Sequence, residues 1–133
     1  MKLTTKSEYC LLALLYMARN KDRGFIKIEE ICEKYNISKK YLELLFSSLR
    51  QNRLIKARRG TQGGYQLAKP AGEISLASII RLMDGALAPT ESVSEYFFSE
   101  TPIQQEEKLL GVFREIRDYI AARLEKLTLQ DLV

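Results

Sequence analysis

Apolar residues recur along this chain in several helical registers, separated by short polar or glycine-containing breaks. From residue 10 to residue 18 they are almost continuous, with Leu11, Leu12, Leu14, Leu15 and Met17 among them. This predicts a helix from Thr5 to about Asn20 that is buried on most sides. Thr5-Lys6-Ser7-Glu8 fits a capping box at its start. Residues 25–28 read as a short strand. Ile28, Ile31 and Cys32 then fall on one face of a second helix spanning residues 28–35. Asn36-Ile37 makes a tight turn, and Ser38 caps a third helix that runs to about residue 52. Its apolar face is Leu42, Leu45, Phe46 and Leu49, and its polar face carries Lys39, Lys40, Glu43, Ser47 and Arg50. Two short helices joined by a tight turn, the second with a free polar face, are the pattern of a helix-turn-helix.

Residues 54–58 and 65–67 read as antiparallel strands. The loop between them, Arg59-Gly60-Thr61-Gln62-Gly63-Gly64, holds three glycines. A hairpin directly after a helix-turn-helix is a wing. Ser75 caps a fourth helix at residues 76–84, striped by Leu76, Ile79, Ile80 and Met83 and stopped by Gly85. Residues 86–100 form a linker with Pro89. Thr101-Pro102-Ile103-Gln104 reads as a second capping box. A helix is expected from residue 102 to about 127, about 37 Å long. Leu109, Phe113, Ile116, Ile120, Leu124 and Leu127 lie along it close to a heptad seam. So long an amphipathic rod leaves an apolar patch unless it pairs with a second copy; a stripe that packs along its own domain is the alternative.

The expected fold is mostly α with a small β-hairpin wing. A winged helix-turn-helix domain at residues 1–85 is followed by a linker at 86–101 and a dimerisation helix with tail at 102–133.

Charge sharpens the picture. Residues 39–69 hold eight basic side chains against one acid, Glu43, while the whole chain is only +4. The positive field is therefore local, which is the footprint of a nucleic-acid reader. Double-stranded DNA is the expected partner. On the recognition helix, Lys39 and Lys40 offer phosphate or guanine contacts. Glu43 offers an acceptor for a cytosine amino group or a salt bridge to either lysine. Ser38 has a capping duty. Tyr41 contacts phosphate or a thymine methyl, or packs on the wing. Arg50, at the far end of this helix, adds to the basic surface. On the wing, Arg58, Arg59, Thr61 and Gln62 face the partner, with Arg59 expected in an A·T-rich minor groove. Gly60, Gly63 and Gly64, followed by Tyr65, let the loop backbone approach phosphate.

Other chemistries are poorly supplied. The chain has two cysteines, Cys10 and Cys32, and no histidine, whereas a structural metal site usually takes four such ligands. No metal or cofactor is expected. Both thiols sit on apolar faces and read as buried and inert; a redox sensor would need exposure and a lowered pKa. There is no P-loop, no dinucleotide-binding glycine pattern and no nucleophile–base pair, so no enzyme is expected. The longest apolar run is short of the roughly 20 residues needed to span a bilayer, and a cytoplasmic protein is the expectation. Tyr96, Phe97 and Phe98 in the linker either anchor it against the last helix or line a pocket for a small-molecule or protein effector.

Several motifs carry a family likeness: Met1-Lys2-Leu3-Thr4-Thr5-Lys6, Ile37-Ser38-x-x-Tyr41-Leu42-Glu43, Leu49-Arg50, Arg59-Gly60-x-x-Gly63-Gly64-Tyr65 and Ile79-Ile80-Arg81-x-Met83-Asp84-Gly85. With the order of elements, they resemble the IscR/NsrR/CymR-type family of bacterial winged-helix transcriptional regulators. The resemblance implies a homodimer that represses from a pseudo-palindromic operator. Cluster-binding members carry three closely spaced cysteines in the linker; residues 88–101 here hold neither cysteine nor histidine. The likeness is thus to the cluster-free, CymR-like branch. That branch implies control of cysteine and sulfur genes and a protein partner from cysteine synthesis. An RNA-binding or protein-interaction winged helix is the competing class, because fold alone does not fix function.

Overall fold

The computed structural model describes residues Met1–Val133. Five helices and one hairpin form it: α1 (Thr5–Arg19), α2 (Ile28–Tyr35), α3 (Lys39–Gln51), β1 (Ile55–Arg58), β2 (Gly64–Leu67), α4 (Leu76–Asp84) and α5 (Glu107–Lys126). Short 3₁₀ turns punctuate the connections. The mostly helical fold with a two-stranded wing is the one expected. The residues gather into two compact units, Met1–Ser7 with Ser75–Leu127, and Glu8–Ile74 with Thr128–Val133. The units cut across chain order, since α4 and the linker group with α5.

The unit holding the helix-turn-helix and wing buries Cys10, Ala13, Leu14 and Met17 of α1, Ile31 of α2, and Leu42, Leu45, Phe46 and Leu49 of α3. These are the apolar positions that the helical period selects. The strands pair antiparallel in the register Ile55↔Leu67 to Arg58↔Gly64. The strand expected at 25–28 shrinks to a single bridge between Ile26 and Tyr65, because Ile28 already opens α2.

In the other unit, Ala88, Val93 and Leu110 form a buried cluster, with Ile103 and Phe113 packed on it. Two expectations change here. The long helix does not start at Pro102. Residues Pro102–Gln105 make a 3₁₀ turn, Glu106 breaks the backbone at φ −111° and ψ 86°, and α5 begins at Glu107. The Thr101 hydroxyl bonds the Ser92 hydroxyl and makes no cap contact, so the second capping box is not formed. α5 is therefore 20 residues long, about 30 Å. The expected seam also splits. Phe113 is spent on the buried cluster, and Ile120, Leu124 and Leu127 are half-buried. Leu109 and Ile116 stay exposed, and Val112 and Tyr119 join them in a stripe at 3-, 4- and 3-residue steps.

α1 starts at Thr5. Its entry is held by Asp84 at the end of α4. Asp84 Oδ2 accepts the Thr4 N–H at 3.0 Å, and Oδ1 accepts the Thr4 hydroxyl. A carboxylate at a helix N-terminus is favoured by the helix dipole. Burial pushes the Asp84 carboxyl up, but hydrogen bonding, chiefly from Thr4, together with the nearby Lys6 charge outweighs it and holds the group below its ordinary value. Its folded pKa is depressed, so its stabilisation is present above the unfolded value of about 3.9 and is lost as pH falls through the folded value. Asp84→Asn is expected to cost about 1–2 kcal/mol at pH 7. Urea unfolding of both proteins should show that gap at pH 7 and its progressive narrowing as the pH is taken below the unfolded value of about 3.9; a gap that does not narrow on acidification would contradict this role.

Candidate nucleic-acid interface

Asn36 takes the left-handed conformation (φ 54°) that closes α2, and its N–H donates to the Cys32 carbonyl. The Ile37 N–H donates to the same carbonyl at 3.0 Å, and the Ile37 side chain is buried. The turn is thereby fixed. Ser38 Oγ then accepts the Tyr41 N–H at 3.4 Å, which starts α3 as its sequence predicts. With Leu42, Leu45, Phe46 and Leu49 turned inward, α3 leaves Lys39, Lys40, Glu43, Ser47 and Arg50 in solvent.

The lysines differ. Lys39 Nζ lies 2.9 Å from Glu29 Oε1 on α2 and 3.9 Å from Glu43 Oε1. The hydrogen bond from Lys39 holds the Glu29 carboxyl below its usual range. Exposed pairs of this kind contribute about 0–1 kcal/mol, so a phosphate can compete for Lys39. Lys40 has no such partner. The Tyr41 ring stands edge-on to Tyr9 of α1, centroids 5.7 Å apart. Leu44, not singled out in the sequence, stands 65% exposed on α3.

The wing is tightly specified. A Cβ on Gly63 would lie 2.0 Å from the Arg58 carbonyl oxygen, and one on Gly64, at φ 145°, 2.5 Å from the Ile26 oxygen. No side chain fits at either position without moving backbone. The Tyr65 ring packs edge-on against Phe46, centroids 4.7 Å apart, so it anchors the hairpin to α3. Arg58 and Arg59 are both exposed but differently engaged. The Arg58 guanidinium sits 4.4 Å above the Phe25 ring and donates to the Gln62 carbonyl at 2.8 Å. Arg59 has no ion pair or hydrogen bond and is free at the tip, with Gly60, Thr61 and Gln62 exposed beside it. Arg50, Arg58, Arg59, Gly64 and Tyr65 line one cleft of about 270 Å³ between α3 and the wing. Ser47, Arg50, Gln51 and Lys56 line a second, of about 480 Å³. Arg50 borders both. Both clefts are open and cation-rich, the character that a polyanion backbone requires.

The remaining groups make no comparable site. Cys10 is fully buried and Cys32 half-buried. Burial, then the neighbouring Glu29 carboxylate, pushes the Cys32 thiol up, the opposite of a reactive cysteine. No three His, Cys, Asp or Glu side chains converge to hold a metal ion. Tyr96, Phe97 and Phe98 are exposed, and Arg81 stacks on Tyr96 at 4.6 Å. The cleft beside Tyr96 and Phe97 has a volume of about 10 Å³, room for about one water.

The chain resembles known regulators over its whole length. The model of the Rrf2 family, described as an iron-dependent transcriptional regulator, matches residues 3–133. The HTH-type transcriptional regulator IscR of Cronobacter sakazakii is 35% identical over 135 residues, spanning 100% of this chain and 80% of that protein. The structure of CymR, the global cysteine regulator of B. subtilis, superposes with a TM-score of 0.80 at 32% identity, covering 99% of this chain and 95% of that one. CymR of Staphylococcus aureus gives 0.74 at 38% identity, over 97% and 95% of the two chains. These relatives are regulators rather than enzymes. With its helix-turn-helix, glycine wing and long last helix, the chain belongs to the Rrf2 family of transcriptional regulators.

Proposed function

We propose that this chain is a homodimeric, sequence-specific repressor that reads a pseudo-palindromic DNA operator without an iron–sulfur cluster. The observation that carries the reading is the free cationic surface formed by Lys40 and Arg50 on α3 and Arg59 at the wing tip. The N-terminal turns of α3 present Lys39, Lys40 and Glu43 to base edges in the major groove. Arg59 enters the adjoining minor groove, where narrow A·T-rich segments attract arginine. Arg58 and Tyr65 act mainly by holding the wing.

Dimerisation is supported by the α5 stripe. Leu109, Val112, Ile116 and Tyr119 are each more than 40% exposed on one helix face, a patch that a second copy of α5 covers with itself. Two copies of α3 would then read half-sites about 34 Å apart, or a multiple of that distance. The cluster-free reading rests on the donor set. Clusters are held mainly by cysteine thiolates; the linker supplies none, and Cys10 and Cys32 lie on α1 and α2. A role in cysteine or sulfur metabolism rests on the likeness to the global cysteine regulator of B. subtilis. A protein effector acting at the exposed Tyr96–Phe98 is part of the same reading. No helix is long and apolar enough to cross a membrane, which is compatible with a cytoplasmic site of action.

Competition binding tests the class of partner. Labelled duplex DNA should be displaced by unlabelled duplex at far lower concentration than by RNA of the same sequence. Its affinity should fall log-linearly with salt, as counterion release requires. Preference for RNA would replace this reading with the RNA-binding one.

A further inference from the structure

The wing loop is held from outside by a tripeptide far from it in sequence. Ile26 and Tyr65 exchange two backbone hydrogen bonds, each 2.8 Å, and the Ile26 side chain is buried. In an extended segment, alternate side chains share a face, so Phe25 and Lys27 both point away from the core. Phe25 lies under the Arg58 guanidinium at 4.4 Å. Lys27 Nζ donates to the Gly60 carbonyl at 3.0 Å. Gly60 O also accepts the Gly63 N–H at 3.0 Å, and Arg58 reaches across to the Gln62 carbonyl. The two loop carbonyls on either side of Thr61 are therefore both tied, one by Lys27 and one by the arginine that Phe25 supports. Arg59, between these ties, is left unengaged.

We infer that Phe25 and Lys27 are positioning residues that pre-order the wing so that Arg59 enters the groove already presented. The inference rests on the proposed DNA-binding role. Without the brace, the loop pays its ordering entropy on binding, and affinity falls by that amount. Phe25 is half-buried and Arg58 exposed, and stacking of a cation on an aromatic ring at such a site is a small term, so Phe25→Leu should weaken cognate binding by about fivefold and reduce the preference for the A·T-rich segment. Phe25→Tyr, which keeps the ring face, should restore both.

Two readouts test this, one of them independent of DNA. Amide relaxation of the free protein should show residues 60–63 ordered like the strands in the wild type and in Phe25→Tyr. In Phe25→Leu their order parameter should fall toward about 0.6 while the rest of the chain is unchanged. A loop already mobile in the wild type, or equally ordered in Phe25→Leu, overturns the brace whatever the DNA results are. Duplex binding then tests the coupling. In an Arg59→Ala background, Phe25→Leu should have no further effect, since both act through one contact. Fully additive losses overturn the positioning role. A wild-type chain that selects no duplex sequence, with an ordered loop, overturns the DNA-binding reading together with this inference.

Discussion

Ile116→Asp is expected to leave the chain monomeric at micromolar concentration and to lower operator affinity by about a hundredfold or more. Ile116 is 42% exposed in the single chain and stands midway along the stripe of Leu109, Val112 and Tyr119. A substitution there disturbs little inside the fold. In a self-paired α5 seam it sets two carboxylates close together on an otherwise apolar surface, and such like-charge contacts cost several kcal/mol. The operator loss follows because each half-site is then bound alone, without the effective concentration supplied by the partner. Sedimentation of the variant beside the wild type gives the first readout, and titration of a two-half-site duplex gives the second. An intact dimer with normal affinity would place the interface elsewhere. Retained α5 helicity by circular dichroism separates lost pairing from lost folding.

Arg59→Ala comes next in size. A specific arginine contact in a groove is worth about 1–3 kcal/mol, so affinity should fall about tenfold or more. The loss should concentrate on the A·T-rich segment. Arg59 is the arginine to test because its neighbour is already engaged: Arg58 stacks on Phe25 and bonds the Gln62 carbonyl. Arg59→Lys should recover only part of the loss, since an ammonium keeps the charge but is a more strongly hydrated point charge without the planar fork. Measuring binding across a panel of duplexes that differ only in the flanking A·T content checks this. A uniform loss over the panel would make Arg59 a phosphate contact rather than a reader of groove shape.

Local chemistry made much of this fold legible. α2 and α4 run over the residues their patterns predict, because an αL asparagine, a capping serine and a stop glycine mark the ends where the apolar period changes. The wing was legible for the same reason: only glycine fits at 63 and 64. What escaped depends on contacts distant in sequence. The Thr101 hydroxyl is diverted to Ser92, and α5 starts later than its capping pattern suggests. Asp84, 80 residues further on, receives the Thr4 N–H. Lys39 is paired across two helices with Glu29. Phe25 and Lys27 carry no motif at all; their place beside the wing follows from one bridge to Tyr65. On α5, a four-residue step carries a side chain about 40° past a full turn and a three-residue step leaves it about 60° short, so the two fall on opposite sides of the Leu109–Ile116 line. Phe113 thus faces the buried cluster, while Val112 and Tyr119 lie on the exposed stripe.

Selection from random duplex DNA with the purified wild-type chain, at low and moderate salt, tests the central claim most directly. Two inverted half-sites should be enriched, spaced by about one helical turn or a multiple of it, with an A·T-rich element where the wing lies. Salt-sensitive binding with no enriched sequence would contradict it, and would mean that the basic surface of α3 and the wing holds a polyanion without reading one.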